Sequence, residues 1–340
     1  MLTNITISNY RSIKNASMPL SPFTLLIGAN GAGKSNFLRF LSDISGVTAQ
    51  TLSEFHTQNR HVNYLGNTPT HNLDTSTESL HFFPTPETEY DPKLTHHRID
   101  AMDTRPLIEF KTVLEAKIYT LQPDRLKQTE ALTTDPWVQA DGSGTITVLD
   151  ALKTGDREDL FDLIEATFKT YIPDIEKLSF VTKDTGKYLQ VRDKHLDTLV
   201  PFSQLSDGTS LVLMMLTLIY QPHPPALICI EDIDHGLHPR LFDKIIQLCF
   251  DITSNDSKAP QIIATTHNPY VVDRFKDHES AVLMVEKIQG CTHFTTLAEK
   301  IQHLDPGEDP LGALWYSGMA DACDVSQFCK LRATGAYRVI

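Results

Sequence analysis

The sequence predicts an α/β fold: a mixed β-sheet core flanked by helices, split in sequence around an inserted helical or mixed lobe. Three observations predict it. Strand-like and helix-like segments alternate at both ends of the chain. A buried apolar run, FTLLI (23–27), opens into the glycine-rich stretch GANGAGKS (28–35), and a helical pattern follows at once. The middle of the chain mixes both periods and matches neither end.

Each element follows from its local pattern. Leu2, Ile5 and Ile7 alternate with Thr3, Asn4, Thr6 and Ser8, which reads as a strand. NYRSIKNASMPL (9–20) turns the chain into a second strand, FTLLIGAN (23–30) is a buried strand running into a turn, and KSNFLRFLSDIS (34–45) reads as a helix. From about 46 to 105 the pattern dissolves into Ser, Thr, Asn, Pro and His. His56, His61, His71, His81, His96 and His97 fall there, but without HxxxH or HExxH spacing or a cysteine partner. The segment therefore reads as a solvated insertion rather than a metal site, and both a passive loop and a partner-docking surface fit it.

LIEFKTVLEAKIYTLQP (107–123) is strand-rich, residues 145–173 hold two helical patterns, and KLSFVTKDTGKYLQVRD (177–193) is a hairpin about Lys183-Asp184-Thr185-Gly186. A helix over 207–221, a strand over 226–230, a helix over 239–253 and the strand QIIATT (261–266) follow. Then come a helix start at 270–275, the hairpin AVLMVEKIQGCTHFTTL (281–297) and a helical, irregular tail. The expected domains are a core from 1–45 and 200–298, a polar insertion over 46–105, a mixed or helical lobe over 106–199 and a tail over 299–340.

Composition narrows the partners. The net charge of −13 argues against whole-surface attraction to nucleic acid, though a local basic groove is compatible with it. Cys229, Cys249, Cys291, Cys323 and Cys329 are an odd set without a CxxC pair, so neither a disulfide framework nor a zinc site is expected. The start MLTNITISNY lacks a basic segment followed by an apolar one, and LVLMMLTLIY (211–220) is too short to span a bilayer. A cytoplasmic location is the expectation.

GANGAGKS fits GxxxxGK[ST] at every fixed position, between strand and helix as the motif requires. Gly28, Gly31 and Gly33 let the backbone curl so that successive N–H groups face phosphate oxygens. Lys34 is the group to reach the β- and γ-phosphates, and Ser35 the one to offer a hydroxyl to Mg²⁺. The helix that begins here turns its positive end to the same phosphates. The expected nucleotide contacts are Asn30, Gly31, Ala32, Gly33, Lys34, Ser35 and Asn36.

Further segments say which kind of nucleotide protein this is. LSDGTS (205–210) precedes a helix, ALICI ends in Glu231-Asp232, and IIATTH puts His267 at a strand end. Taken singly, Ser206 or Asp207 could be a helix cap and His267 an ordinary surface or core histidine. Their order and spacing together resemble the RecF/SMC-like branch of ATP-binding-cassette ATPases. More closely, they resemble the stand-alone, OLD-related "AAA family" ATPases of bacterial defence systems. ITISNYRSI, LLIGANGAGKSNFL, LSDGTS, ICIEDIDHGLHPR, TTHNPYVVD and LGALWYSG carry this resemblance, which spans most of the chain except 46–105 and the last twenty residues.

The resemblance implies a P-loop NTPase of ABC/RecF-like type using ATP and Mg²⁺. It puts Glu231 in the Walker B slot for the metal and Asp232 in the slot that positions attacking water. It makes Lys34 and His267 catalytic residues beside Asp232, with His267 as the switch histidine that senses the γ-phosphate. Ser206, Asp207 and Gly208 fall in the signature motif, which serves the opposite subunit of a head-to-tail homodimer. Gly236, Leu237, His238 and Pro239 match the stretch after Walker B, Arg11 implies a nucleotide contact, and Gln122 is the candidate Q-loop glutamine. The usual carboxylate order is inverted and Ile233 stands where proline is usual, which implies slow hydrolysis.

Three functions fit: an ATPase gating a separate effector such as a nuclease in anti-phage defence, a DNA-clamping ATPase in repair or recombination, and a nucleotide-dependent scaffold without turnover. A TOPRIM nuclease in the same chain would need a further domain of roughly a hundred residues. No heptad run or zinc hook interrupts the core, which removes a full SMC architecture.

Overall fold

A computed structural model describes residues 1–45, 70–75, 78–81, 115–134, 136–183, 186–255 and 259–301. The chain divides into two compact units, Met1–Leu114 with Thr265–Ile340, and Glu115–Ala264. In chain order the first unit opens with β1 (Leu2–Tyr10), β2 (Ile13–Pro19), β3 (Phe23–Ile27), α1 (Lys34–Asp43), β4 (Thr70–Thr75) and β5 (Glu78–His81). The second holds β6 (Ala116–Tyr119), α2 (Thr145–Thr154), α3 (Glu158–Tyr171), β7 (Ile175–Lys183), β8 (Gly186–Asp193), β9 (Leu199–Pro201), α4 (Asp207–Tyr220), β10 (Leu227–Ile230) and α5 (Pro239–Asn255). After β11 (Gln261–Thr266), the first unit continues with β12 (Val282–Ile288), β13 (Cys291–Thr296) and α6 (Leu297–Ile301).

In the first unit β1 alternates as its sequence dictates, burying Leu2, Ile5, Ile7 and Tyr10. It pairs antiparallel with β2, Ile5 opposite Met18, and with β4 on its other edge. The strand order is β2-β1-β4-β5. The sequence reading assigns no strand to 70–81, because THNLDT and ESLH carry no apolar period. Backbone bonding to a neighbouring strand makes them strands regardless of side-chain pattern.

β3 is buried along its whole length and pairs parallel with β12, which pairs antiparallel with β13. The hairpin between β12 and β13 turns on Gln289 (φ 49°) and Gly290 (φ 84°), the two positive angles of a type I′ turn. α1 buries Phe37, Leu38, Phe40 and Leu41. Phe37 packs at a tilt on Phe294 (5.4 Å between ring centres), and Tyr10 meets Phe40 edge-on at 5.2 Å.

In the second unit β10 pairs parallel with both β6 and β11. β6 lies within 106–199, the stretch the sequence assigns to a separate lobe, yet its ladder is with the strand that leads to Glu231. α4 is buried from Gly208 to Ile219, the behaviour of a helix that is apolar all round. The apolar run noted in the sequence is therefore core, and no helix among the described residues is long and apolar enough to cross a membrane. α2 and α3 adjoin one face of the β7-β8-β9 sheet, where Phe161 of α3 packs on Phe180 of β7 at 6.1 Å.

One element differs in type. The helix start expected at 270–275 is a 3₁₀ helix over Pro269–Phe275, a tighter form suited to a short connector. Residues 302–340, with LGALWYSG, lie outside the described residues, as do His56, His61, His96 and His97. Cys229, Cys249 and Cys291 are free thiols.

Candidate nucleotide site

In the first unit the phosphate loop is built by close packing. A methyl on Gly28 would lie 2.1 Å from the Val285 carbonyl oxygen of β12, so only glycine lets β3 leave the sheet this way. Gly31 (φ 76°) and Gly33 (φ 118°) take left-handed angles that side chains resist. Gly33 is the N-cap of α1 and offers no side-chain acceptor to the helix's first N–H groups, which suits them to an anion. Asn30, Gly31 and Ser35 are exposed, Ala32 is buried, and Asn36 is half-buried.

Lys34 is 5% exposed, and a buried ammonium needs partners. Its Nζ donates to the Gly28 carbonyl at 2.7 Å and the Ala29 carbonyl at 3.1 Å, and lies 3.0 Å from Nδ1 of His267. An ammonium has three hydrogens, and three acceptors stand around this one when Nδ1 is unprotonated. With Nδ1 as that acceptor, the proton of a neutral ring stands on Nε2. Nδ1 also lies 3.0 Å from the Gly28 oxygen, so a protonated ring would turn a donor toward that carbonyl and a cation toward Lys34. The fold brings Lys34 and the exposed His267 together across 233 residues of sequence.

Arg11 sits at φ 49° with its guanidinium carbon 5.5 Å from the centre of the Tyr10 ring, and its buried Nε has no hydrogen-bond partner among the described residues. Asn36 Nδ2 donates to Ser12 Oγ at 2.8 Å, and Ser12 Oγ lies 2.7 Å from Thr292 Oγ1. Ser12 stands inside the quoted NYRS but carries no assigned role in the sequence reading. Thr292 has no sequence signal at all, since its partner is 280 residues away.

In the second unit Glu231 and Asp232 close β10. The Glu231 N–H donates to the Tyr119 carbonyl at 2.9 Å, and the Thr120 hydroxyl donates to Glu231 Oε2 at 3.1 Å. Thr120 is a further site neighbour the sequence does not flag, and the exposed Gln122 follows two residues on. Asp232 is exposed and left-handed (φ 48°), while Ile233 is 4% exposed. A proline at 233 would push its predecessor toward extended angles, a restriction that isoleucine does not impose.

Ser206 is the N-cap of α4, its Oγ accepting the Thr209 N–H at 3.2 Å. The cap alternative is thus realised by Ser206, in the same residue that the motif order places in the signature. Asp207 pairs with Lys127, a contact the sequence does not reveal. Gly208 is buried, and a methyl there would lie 3.2 Å from the Gly236 carbonyl oxygen. The N-terminal end of α4 and the turn after Glu231 are therefore packed against each other.

Comparison with known proteins finds likenesses to both the early and the late motifs. A family model described as "AAA ATPase domain" matches residues 1–72, and one described as "AAA domain, putative AbiEii toxin, Type IV TA system" matches residues 149–273. A curated relative, the OLD nuclease of Thermus scotoductus, is 31% identical over 64 residues. That match covers 19% of this chain and 12% of the relative's length.

Among solved structures, the SMC head domain from Thermotoga maritima overlaps with a TM-score of 0.45 at 13% identity, covering 87% of this chain and 98% of that one. An Smc head domain with an extended coiled coil, bound to the C-terminal domain of ScpA derived from Pyrococcus furiosus, overlaps at 0.46 and 11% identity, covering 88% and 98%. In two separate segments the chain is similar to AAA-type ATPase domains, and over a shorter stretch it is similar to the OLD nuclease.

Proposed function

We propose that this chain binds ATP with Mg²⁺ at the 28–35 loop and hydrolyses it slowly, as a switch that gates a separate effector in a genome-defence system. The observation that carries the reading is the buried Lys34 ammonium, held by two loop carbonyls and His267 at the start of a helix whose cap offers no acceptor of its own. Groups of this kind fit a triphosphate: a fixed cation, backbone donors and an open glycine, since among the described residues nothing lies within 4 Å of where a Gly31 methyl would be.

Mg²⁺ also fits. Among the described residues no cluster of three or more His, Cys, Asp or Glu stands ready for a metal. Mg²⁺ takes few protein ligands and completes its shell with phosphate oxygens and water, which suits the exposed Ser35 hydroxyl of the first unit; the order of the motifs proposes the Glu231 carboxylate as a second ligand. When bound, it supplies charge neutralisation at the phosphates. Asp232 is the water-orienting carboxylate, drawn back by roughly 1.3 Å relative to a glutamate. A misplacement of about 1 Å costs on the order of 100-fold in rate. The long-lived nucleotide state then favours a head-to-tail homodimer, with Ser206 and Gly208 of each chain serving the other.

The test is nucleotide binding and turnover on the purified chain. Lys34→Ala is expected to weaken binding of a fluorescent ATP analogue at least about 100-fold. Asp232→Asn should keep binding and cut turnover at least about tenfold. Equal affinity in Lys34→Ala sinks the site, and turnover near 10 per second without a partner sinks the slow switch. Binding with no turnover in the unaltered chain leaves the scaffold reading standing instead.

A second reading, contact with DNA, is favoured by the β7-β8-β9 sheet. Lys177 stands directly opposite Arg192 across the ladder, and Lys183 lies over Tyr188 at 4.5 Å. Like charges placed opposite each other cost stability unless an anion joins them. Binding to a short DNA duplex that weakens steeply with salt supports this reading, and no binding at low salt removes it.

A further inference from the structure

A directed chain of hydrogen bonds joins α1 to the phosphate loop. Asn36 Nδ2 lies 2.8 Å from Ser12 Oγ, Ser12 Oγ lies 2.7 Å from Thr292 Oγ1, and Thr292 Oγ1 lies 2.8 Å from the Ala32 carbonyl oxygen. Its direction is fixed at both ends, because an amide nitrogen only donates and a carbonyl only accepts. Thr292 therefore spends its one hydroxyl proton on Ala32, Ser12 spends its own on Thr292, and Ser12 accepts from Asn36. The Thr292 N–H also donates to the Ser12 carbonyl at 2.7 Å, so the two residues are clamped by backbone and side chain together.

The contact reaches the loop's geometry. A methyl on Gly33 would lie 2.2 Å from Thr292 Oγ1, so Thr292 fills the space beside Gly33 as well as bonding to Ala32. Thr292 is 1% exposed and Ala32 is 3% exposed, which leaves water little room to replace the hydroxyl. The Ala32 carbonyl and the Gly33 N–H belong to one planar trans peptide, in which the two point in opposite directions. Holding the carbonyl on Thr292 turns the Gly33 N–H to the opposite side.

We propose that Thr292 is a positioning residue for the phosphate loop. It touches no phosphate itself. It fixes the Ala32–Gly33 peptide so that the loop's N–H groups aim at one point, and Ser12 and Asn36 keep its hydroxyl oriented. The affinity consequence rests on the ATP-binding reading; the geometry does not. The proposal also gives Asn36 a role inside the protein, as the donor that starts the chain.

The experiment compares Thr292→Val, Thr292→Ser and Thr296→Val in the full chain. Thr296 is a buried threonine of the same strand, its hydroxyl oxygen accepting the Glu299 N–H, and so controls for general loss of stability. The first readout is amide hydrogen exchange over residues 28–36, which needs no nucleotide. Thr292→Val should speed exchange there at least about tenfold, Thr292→Ser should restore it to within about threefold, and Thr296→Val should leave that stretch unchanged.

The second readout is affinity for the fluorescent ATP analogue, expected to fall roughly tenfold in Thr292→Val with rescue by serine. Adding Ser12→Ala to Thr292→Val should change neither readout further, because one broken link disables the chain. Unchanged loop exchange in Thr292→Val, equal effects of Thr296→Val, or no rescue by serine overturns the proposal. If the unaltered chain binds no ATP, the nucleotide reading falls, and exchange still decides the role of Thr292.

Discussion

Two glycine-bearing turns follow buried strands in this chain, and they are held by different means. The 28–33 turn is fixed from within the first unit: Val285 closes on Gly28, Thr292 on Gly33, and Lys34 draws the Gly28 and Ala29 carbonyls inward. The 231–238 turn of the second unit has an exposed surface, with Asp232, His235, Gly236 and His238 all open to solvent. Its base is tied by Glu231 to Tyr119 and Thr120, its own backbone closes His235 on Asp232 and Leu237 on Asp234, and Gly236 packs on Gly208 and Leu211. A site for a polyanion gains from fixed donors before the ligand arrives. A turn that presents a carboxylate needs less of this, and the inverted Glu231-Asp232 pair sits in a solvent-facing turn.

The comparison breaks most readily at the glycines. Gly28→Ala drives a methyl to 2.1 Å from the backbone oxygen of Val285, which no side-chain rotation relieves. It should cost about 3 kcal/mol in urea unfolding. Gly236→Ala meets the Leu211 Cδ1 at 3.2 Å, the end of a flexible side chain, and chiefly incurs the strain of φ 72°. Its expected cost is about 1–2 kcal/mol. Equal costs would mean that the two turns are equally rigid and that the distinction drawn here is wrong.

A sharper probe is Ile233→Pro, which installs the residue usual in the resembling families. Proline would push Asp232 out of its left-handed angle and remove an apolar side chain that is 4% exposed. The expected loss is about 3 kcal/mol. Ile233→Val, which keeps the backbone free, should lose about 1 kcal/mol. Unfolding curves that rank the two the other way would show that Asp232 does not need its present turn.

These contrasts follow the line between what the sequence discloses and what it hides. The β3–loop–α1 unit, the hairpin of β7 and β8, the apolar α4 and the strand before Glu231 are legible because each depends on neighbours within a few residues. A strand such as β4 is not, because its partner β1 lies some sixty residues back and its own side chains carry no period. The same limit applies within the site. Lys34, Glu231 and Ser206 are visible in motifs, whereas Thr292, Thr120 and Lys127 enter only when the chain folds back on itself. His267 was legible as a motif residue, but its contact with Lys34 was not. The helix start near 270 failed for a different reason: periodicity does not separate a short 3₁₀ segment from the first turn of an α-helix.

The smallest expected effects lie at the start of α4, where a helix cap and a surface ion pair share two adjacent residues. Ser206→Ala removes the acceptor for the Thr209 N–H and should cost about 1 kcal/mol, the usual value of a lost cap. Asp207→Asn breaks the pair with Lys127, in which the Asp207 side chain is 60% exposed, so its cost should stay under about 0.5 kcal/mol and shrink further in salt. The pair also predicts a pH dependence. The hydrogen bond to Asp207 raises the Lys127 ammonium above its ordinary value of 10.5, so the folded state binds that proton more tightly than the unfolded chain does. Its stabilisation is fully present at neutral pH and fades only as the pH rises past 10.5 through the raised value. Asp207→Asn should therefore match the unaltered chain more closely at pH 11 than at pH 7. A cost for Asp207→Asn larger than that for Ser206→Ala would make the ion pair, rather than the cap, the anchor of the signature segment. The second turn would then be fastened more firmly than its exposure suggests, through Gly208 on Gly236.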